Sequence, residues 1–384
     1  MHKLPQPLLK KMADRRATGG LRSLPQNTGL VDFSSNDYLG FAQNEALFSK
    51  SFQLLLSENI AQNGASGSRL LTGNHKLYGV LETLLATFHE VERALVFNSG
   101  YDANMGFFGA VPQRGDLVFY DEHIHASMRD GIRMGLAKAY KFSHNDITAL
   151  EATIDQNKDG LGPEGVVYVV TEAVFSMDGD SPDLKKLAKM CLSKGHHLVV
   201  DEAHAVGIFG NKGEGLVQHL GLQKQVFARI VTFGKALGGH GAAILGTEDL
   251  VDYLMNFARS FIYTTALTPH TLATIISAYG FLQEQGLEER ERLHEHIHYF
   301  GQRVEALGLA RHFLPSLSPI QSCVVAGNDK VLALSGHLTD KGFDVKAIRS
   351  PTVPAGKERL RFCLHSTNSA EEMGLVLELL SKKI

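Results

Sequence analysis

Residues 232–246, TFGKALGGHGAAILG, hold one lysine, Lys235, among five glycines. A lysine in so apolar a stretch has its charged form disfavoured, which lowers its pKa. A neutral amine of that kind is what Schiff-base chemistry requires. The two phosphate-binding alternatives fail on spacing. There is no G-x-x-x-x-G-K-[ST] run, and Ile244 stands where a G-x-G-x-x-G fingerprint begun at Gly239 and Gly241 needs glycine.

Four further clusters follow apolar runs. Asp201 closes HLVV and opens DEAHAVG, so an ionised carboxylate there needs a cationic or protonated partner. His204 lies three residues on. Asp with His would also suit a metal site or a hydrolase triad. A triad needs serine on a G-x-S-x-G elbow, however, and none is present. DEHIHAS carries His123 and His125 in a loop, where a single histidine reads first as a satisfied polar residue. NSGYDANMG places Gly100 before a helix start near Asp102–Ala103, and free N–H groups at such a start bind anions. In TEAVFSMDGDSP, Ser176 precedes a strong turn signal from Asp178 to Pro182. One cofactor uses all these parts together. Pyridoxal phosphate (PLP) needs a lysine for an imine, a carboxylate at its ring nitrogen, a helix N-terminus for its phosphate and a group over its ring.

These clusters must be set side by side. ALVF (94–97), LVFY (117–120), VVYVV (166–170), HLVVD (197–201), RIVTF (229–233) and AAILG (242–246) read as strands. Their continuous apolar character suits a mostly parallel sheet buried on both faces. Helical periodicity between them, as at 183–193, predicts an α/β domain in which ligands bind beyond the carboxyl ends of the strands. Helices are expected over 268–285 and 287–309. PIQSCVVAG (319–327), a helix near 329–341, FDVKAI, RLRFCL and a last helix from 369 predict a small α+β unit. The expected division is an arm, 1–44, a large domain, 45–286, and a small domain, 287–384.

The 384 residues carry a net charge of −3 and a pI near 6.7, against a nucleic-acid partner. No apolar run approaches the ~20 residues of a membrane span, and the N-terminus lacks the apolar core of a secretory signal. Three cysteines, Cys191, Cys323 and Cys363, are too few for a disulfide framework. A cytoplasmic protein is expected.

Taken in order, FSSNDYLG (33–40), GASGSRLLTGNH (64–75), FNSGYDAN (97–104), HAS (125–127), VFSMDGD (174–180), DEAHAVG (201–207), TFGKALGG (232–239) and PTVPAGKERLR (351–361) resemble the α-oxoamine synthases. These are PLP enzymes of the aspartate-aminotransferase fold (fold type I), and the likeness runs over nearly the whole chain. The resemblance implies that Lys235 carries the cofactor, Asp201 pairs with its ring nitrogen and His204 with its ring hydroxyl. His125 would stack on the ring and serve in acid/base steps. Gly100, Tyr101 and Thr232 would hold the phosphate, with Ser176 nearby and Thr264, in YTTALTP, reaching it from a dimer partner. Asn36 and Arg361 would bind an amino-acid carboxylate, and Arg22 and Thr352 the acyl substrate. The implied reaction is a decarboxylative condensation of L-alanine with a pimeloyl thioester, on coenzyme A or an acyl carrier protein, in a homodimer. Other amino-acid and thioester pairs used within the family are the alternatives. Two positions depart from the family pattern: Ala65 stands where glycine is common, and Tyr78 where histidine is expected.

HEHIH (294–298) supplies a rival. His294, Glu295 and His298 fit H-E-x-x-H, the zinc-hydrolase spacing. Its surroundings, GLEERERLHEHIHYFGQR, read instead as a solvated charged helix joining two domains, with no third ligand.

Overall fold

The computed structural model describes residues 4–17, 20–21, 24 and 29–384. Twelve strands run through these residues in chain order: β1 Val31–Asp32, β2 Arg93–Phe97, β3 Leu117–Asp121, β4 Lys138–Phe142, β5 Val167–Glu172, β6 His197–Asp201, β7 Ala228–Thr232, β8 Ala242–Gly246, β9 Ile320–Val324, β10 Phe343–Asp344, β11 Lys346–Ile348 and β12 Arg359–Cys363. Seven form one sheet in the order β2-β8-β7-β6-β5-β3-β4. Only β8 runs antiparallel to its neighbours; the other pairings are parallel.

All six runs expected as strands of this sheet are strands. Successive side chains on a strand point to opposite faces, and the core follows that rule. In β2, Ala94 and Val96 join one apolar cluster while Leu95 and Phe97 join a second on the other face. In β6, Leu198 and Val200 divide from Val199 in the same way. Helices Lys76–Phe88, Leu184–Lys194 and Pro269–Glu284 cover the first face, and Gly100–Ala110, Ala126–Met134 and Glu248–Phe257 the second. The sheet is therefore dry on both sides. Sequence reading missed β4. As the edge strand its residues 138, 139 and 141 are exposed, so KAYKF lacks an apolar run.

A smaller antiparallel sheet, β11-β12-β9, follows helix Gly286–Ala306. That helix buries Leu293, Ile297, Phe300 and Val304 at helical spacing and, Arg290 excepted, leaves its charged residues outside the core. The stretch FDVKAI splits at Val345 into β10 and β11. β10 pairs in parallel with β1, so residues 31–32 join the C-terminal part of the chain.

Two buried charge clusters pin the layers. Arg229 on β7 is 1% exposed and Glu202 is fully buried. The Arg229 Nε donates to Glu202 Oε2 at 2.6 Å, and its other nitrogens reach the carbonyls of His89 and Glu214. Glu202 Oε1 also accepts from the Val217 amide. Beyond β3, His144 bridges two carboxylates, with Nδ1 2.9 Å from Asp121 Oδ1 and Nε2 2.8 Å from Asp180 Oδ2. Burial alone would lower the His144 pKa, but these two hydrogen bonds and the carboxylate charges raise it to about 9. The same turn binds the small sheet. Arg359 of β12 pairs with Asp178, and Ser316 Oγ donates to the Gly179 carbonyl at 2.8 Å. Gly179 has φ +78°, and a Cβ there would lie 2.2 Å from the Ile320 carbonyl oxygen, so only glycine fits.

Arg229→Ala leaves Glu202 buried without its cation, and breaking such a pair costs about 3–5 kcal/mol. Urea unfolding should show that loss; a loss near zero would mean the pair is not the pin described. His144 gives a pH signature. Its folded pKa of about 9 exceeds the ordinary 6.5, so the clamp's stabilisation is complete below pH 6.5 and fades as pH rises through 9. The melting-temperature gap between wild type and His144→Ala should therefore be widest near pH 6 and narrow by pH 9.5. A gap independent of pH would exclude a protonated clamp.

Candidate active site

Where β5, β6 and β7 end, a cavity of about 240 Å³ opens. It gathers Gly100, Tyr101, His125, Asp201, His204, Thr232 and Lys235 from four separate stretches of chain. Sequence reading expected these seven at a cofactor. Ser99, Asn104, Ser127, Glu172 and His240 also line the cavity and were not foreseen.

Asp201 is the last residue of β6 and is 5% exposed. Its Oδ1 accepts from the Ala203 amide at 2.9 Å and its Oδ2 from Asn104 Nδ2 at 3.0 Å. Both oxygens therefore have a donor. Asn104, from helix Gly100–Ala110, also donates to Ser127 Oγ at 3.1 Å. Glu172 sits beside Asp201 in the β5–β6 register. Burial first, and then the Asp201 charge, push its pKa up to about 8. One carboxylate of the pair thus stays charged while its neighbour keeps a proton. Glu172 Oε1 accepts from the His125 amide at 2.6 Å, which fixes the start of helix Ala126–Met134. The His125 ring is held by Ser127 Oγ at 2.7 Å from Nδ1. Burial lowers its pKa against the pull of Asp201, so the ring is neutral near pH 7.

Lys235 projects into this cavity. Burial lowers its pKa to about 8 despite the opposing charge of Asp201. Its Nζ lies 2.9 Å from His204 Nε2. His204 is held neutral, its pKa driven well below 6.5 by burial and then by the charges of Lys235 and Arg361. At the helix end of the cavity, Ser99 caps helix Gly100–Ala110 by accepting from the Asp102 amide at 3.0 Å. The first amides of an α-helix have no acceptor inside the helix, so those of Gly100 and Tyr101 are available to an anion. A Cβ on Gly100 would lie 2.7 Å from Thr232 Cγ2. The Thr232 hydroxyl is buried and makes no hydrogen bond.

Asn36 and Arg361, expected to bind a carboxylate, also meet. Arg361 NH2 donates to Asn36 Oδ1 at 2.9 Å, and Arg361 Nε donates to the Ser176 carbonyl at 2.7 Å. Tyr38 Oη is 3.1 Å from Asn36 Oδ1 and 2.7 Å from His204 Nδ1. Ser176 thus holds Arg361 through its backbone and does not line the cavity. Thr264 accepts from Asn98 Nδ2 at 3.0 Å, just before the capped helix, and also lies outside the cavity wall. Thr352 lines a different cavity, about 450 Å³, with Asp14, Arg15 and Ser350. Arg22 lies outside the described residues.

The glycines that follow Lys235 do not share one partner. Gly241 does line the cavity, but Gly238 (φ +61°) instead backs onto Phe41 and Ala42, where a Cβ would lie 2.2 Å from the Ala42 nitrogen. Gly239 donates its amide to the Phe233 carbonyl at 2.7 Å to turn the chain into β8. Tyr78, which had no assigned role, is a buried ring under the Arg69 guanidinium, 3.8 Å from centroid to Cζ. Its hydroxyl accepts from the Leu267 amide at 2.7 Å. His294 meets the Ile208 carbonyl and His298 meets Gln302, one turn on. Among the described residues neither belongs to a cluster with metal-ligand spacing.

The donor set fits PLP. It supplies a desolvated amine, an ionised carboxylate with both oxygens anchored, a neutral imidazole, and an unpartnered buried hydroxyl at a helix N-terminus. Comparisons with known proteins agree. The family description "aminotransferase class I and II" matches residues 28–380. The 8-amino-7-oxononanoate synthase of Emericella nidulans is 41% identical over 388 residues, covering 96% of this chain and 92% of its own. The solved 8-amino-7-oxononanoate synthase of Francisella tularensis is 31% identical with a TM-score of 0.76, covering 92% of this chain and 97% of its own. Serine palmitoyltransferase of S. paucimobilis, solved with bound PLP, superimposes with a TM-score of 0.88 at 25% identity, covering 98% and 96%. With a lysine, a carboxylate and a helix N-terminus converging at the strand ends of a mostly parallel seven-stranded sheet, and with these likenesses spanning nearly all of it, the chain belongs to the class I and II aminotransferase family of PLP-dependent, fold-type I enzymes.

Proposed function

We propose that the protein condenses L-alanine with a pimeloyl thioester, with loss of carbon dioxide, to form 8-amino-7-oxononanoate for biotin synthesis. The observation that carries this reading is the convergence of Lys235, Asp201, His204 and His125 on one cavity. It is joined by near-full-length likeness to synthases of that name.

When bound, PLP supplies a protonated conjugated ring that draws off the electron pair left as a bond to the alanine Cα breaks. The protein's own groups do the rest. Asp201, immobilised by Asn104 and Ala203, would keep the ring nitrogen protonated. The Gly100 and Tyr101 amides and the Thr232 hydroxyl would hold the phosphate. His125, neutral and fixed by Ser127, would lie against the ring and be placed to hold or accept a proton. Arg361 has its Nε committed to Ser176, so its two terminal nitrogens grip the alanine carboxylate beside Asn36. Lys235, its pKa lowered to about 8, has a neutral fraction at physiological pH that takes the Cα proton.

We place the acyl thioester, carried by coenzyme A or an acyl carrier protein, against Thr352 and the cavity it shares with Arg15. The active unit in this reading is a homodimer, with Thr264 reaching the partner's phosphate site. Exposed apolar residues support such an interface: Leu71 is 81% exposed, Phe48 75% and Tyr263 73%. We assign the enzyme to the cytoplasm. No described helix is long and apolar enough to cross a membrane, and the three cysteines are buried and free.

Lys235→Ala should abolish the visible absorbance of PLP-loaded protein and lower kcat by at least about 10²–10⁴-fold, the usual worth of a positioned base. Normal turnover in that variant would remove Lys235 from the chemistry. A panel of alanine, glycine and serine against pimeloyl, succinyl, acetyl and palmitoyl thioesters should show the highest kcat/KM for alanine with pimeloyl. Preference for glycine with succinyl-coenzyme A would make it a 5-aminolevulinate synthase, and glycine with acetyl a 2-amino-3-ketobutyrate ligase.

A further inference from the structure

Between the amine and the carboxylate-binding pair runs an unbroken line of polar contacts. Lys235 Nζ is 2.9 Å from His204 Nε2, His204 Nδ1 is 2.7 Å from Tyr38 Oη, Tyr38 Oη is 3.1 Å from Asn36 Oδ1, and Asn36 Oδ1 accepts from Arg361 NH2 at 2.9 Å. Tyr38 is fully buried, so its hydroxyl answers only to these partners. We propose that Tyr38 is a positioning residue that selects which ring nitrogen of His204 carries the proton, and so sets whether His204 presents a donor or an acceptor to the reacting end of Lys235.

Proton counting carries the inference. Burial raises the Tyr38 pKa well above 10 and holds His204 neutral. Tyr38 therefore has one proton to give, and His204 has one N–H and one lone pair. Two arrangements satisfy every group. If Tyr38 donates to His204 Nδ1, the imidazole proton sits on Nε2, which becomes a donor. If Tyr38 donates to Asn36 Oδ1, His204 Nδ1–H donates to Tyr38, and Nε2 becomes an acceptor for a Lys235 N–H. The first setting suits an acceptor such as the ring hydroxyl oxygen of bound PLP. The second orients a free lysine amine and leaves its lone pair for the substrate. Arg361 competes for the same Asn36 oxygen. A carboxylate that draws Arg361 away frees a lone pair on Asn36 and favours the second setting. Carboxylate capture is thereby coupled to the hydrogen bonding of the amine, although Tyr38 touches neither substrate nor cofactor.

This inference rests on the PLP role given to Lys235 and His204 and on Asn36 and Arg361 as carboxylate binders, but its main test needs no turnover. The ring nitrogens of His204 are read by ¹⁵N NMR in PLP-loaded wild type and Tyr38→Phe, the signal being assigned by its loss in His204→Gln. Wild type should show the Nε2–H tautomer, and Tyr38→Phe a mixture or a shift toward Nδ1–H. Adding L-alanine should move wild type toward Nδ1–H and leave Tyr38→Phe unchanged. Indistinguishable His204 signals in the two folded, PLP-loaded proteins would overturn the proposal. Should Tyr38→Phe fail to fold or load, Asn36→Ala replaces it. With its competing acceptor gone, Tyr38 must then lock His204 as Nε2–H, and any other tautomer refutes the assignment. In turnover, Tyr38→Phe should lower kcat about tenfold, the scale of one neutral hydrogen bond, with KM for alanine changed less than about twofold. A rise in KM alone would contradict the positioning role. If wild type turns over no alanine with any thioester, the proposed reaction fails while the tautomer result stands independently.

Discussion

The cavity depends on keeping one carboxylate, Asp201, charged where water is scarce. An ionised group at the end of a fully buried strand is costly unless its oxygens are satisfied. Here Asn104 and the Ala203 amide satisfy both. The rest of the cavity's electrostatics follow from that expense. Two neighbouring carboxylates cannot both be charged cheaply, so Glu172 retains its proton up to about pH 8. The same low-dielectric wall that strains the acids also pushes the Lys235 ammonium toward the neutral amine. Acid, base and electron-withdrawing partner are thus set by one desolvated pocket rather than by three separate devices.

Such a pocket requires rigid walls, and the parallel sheet provides them. Asp201, Glu172 and Thr232 lie at the ends of adjoining strands whose side chains alternate between two dry faces. A slip of one residue in β6 would exchange those faces and carry Asp201 away from Asn104. Arg229 and Glu202 sit one strand apart behind this row, so the buried ion pair fixes register as well as adding cohesion. The proposed carboxylate binders arrive from the two ends of the chain. Asn36 follows β1, and Arg361 lies within β12. The β1–β10 pairing and the bond from the Cys363 amide to the Phe33 carbonyl join these ends.

Much of this was legible in the sequence, and the physical reason is consistent. Strands buried on both faces leave uninterrupted apolar runs, and the residues that follow them stand out as interruptions. Asp201, His204, His125 and Lys235 were visible in that way. β4 was not, because an edge strand needs no apolar run. Glu172 and Asn104 were also missed: Glu172 stands in TEAVFSMDGDSP, where Ser176 and the turn after it carried the reading, and Asn104 lies four residues inside a helix. Only the fold brings them to Asp201. Tyr78 looked like a departure from pattern, but a large ring under Arg69 with a hydroxyl on the Leu267 amide serves packing there. Nor does the sequence show what Gly238 meets, since its near neighbour is the backbone of Phe41 and Ala42, far away along the chain.

That contact ties the lysine loop to the arm that carries Asn36 and Tyr38. Gly238 packs on residues 41–42, Asp37 accepts from the Ala42 amide at 3.1 Å, and Tyr38 reaches His204. A shift of the arm would therefore displace the carboxylate binders, the His204 partner and the backbone after Lys235 together. In the role proposed for Lys235, an amine that binds a cofactor, releases it and then takes a proton needs surroundings that can change hydrogen-bond direction without changing shape. Neutral, buried donors that can also accept, here Tyr38 and His204, provide that property. A charged pair in the same place would fix one direction and would cost desolvation in both states.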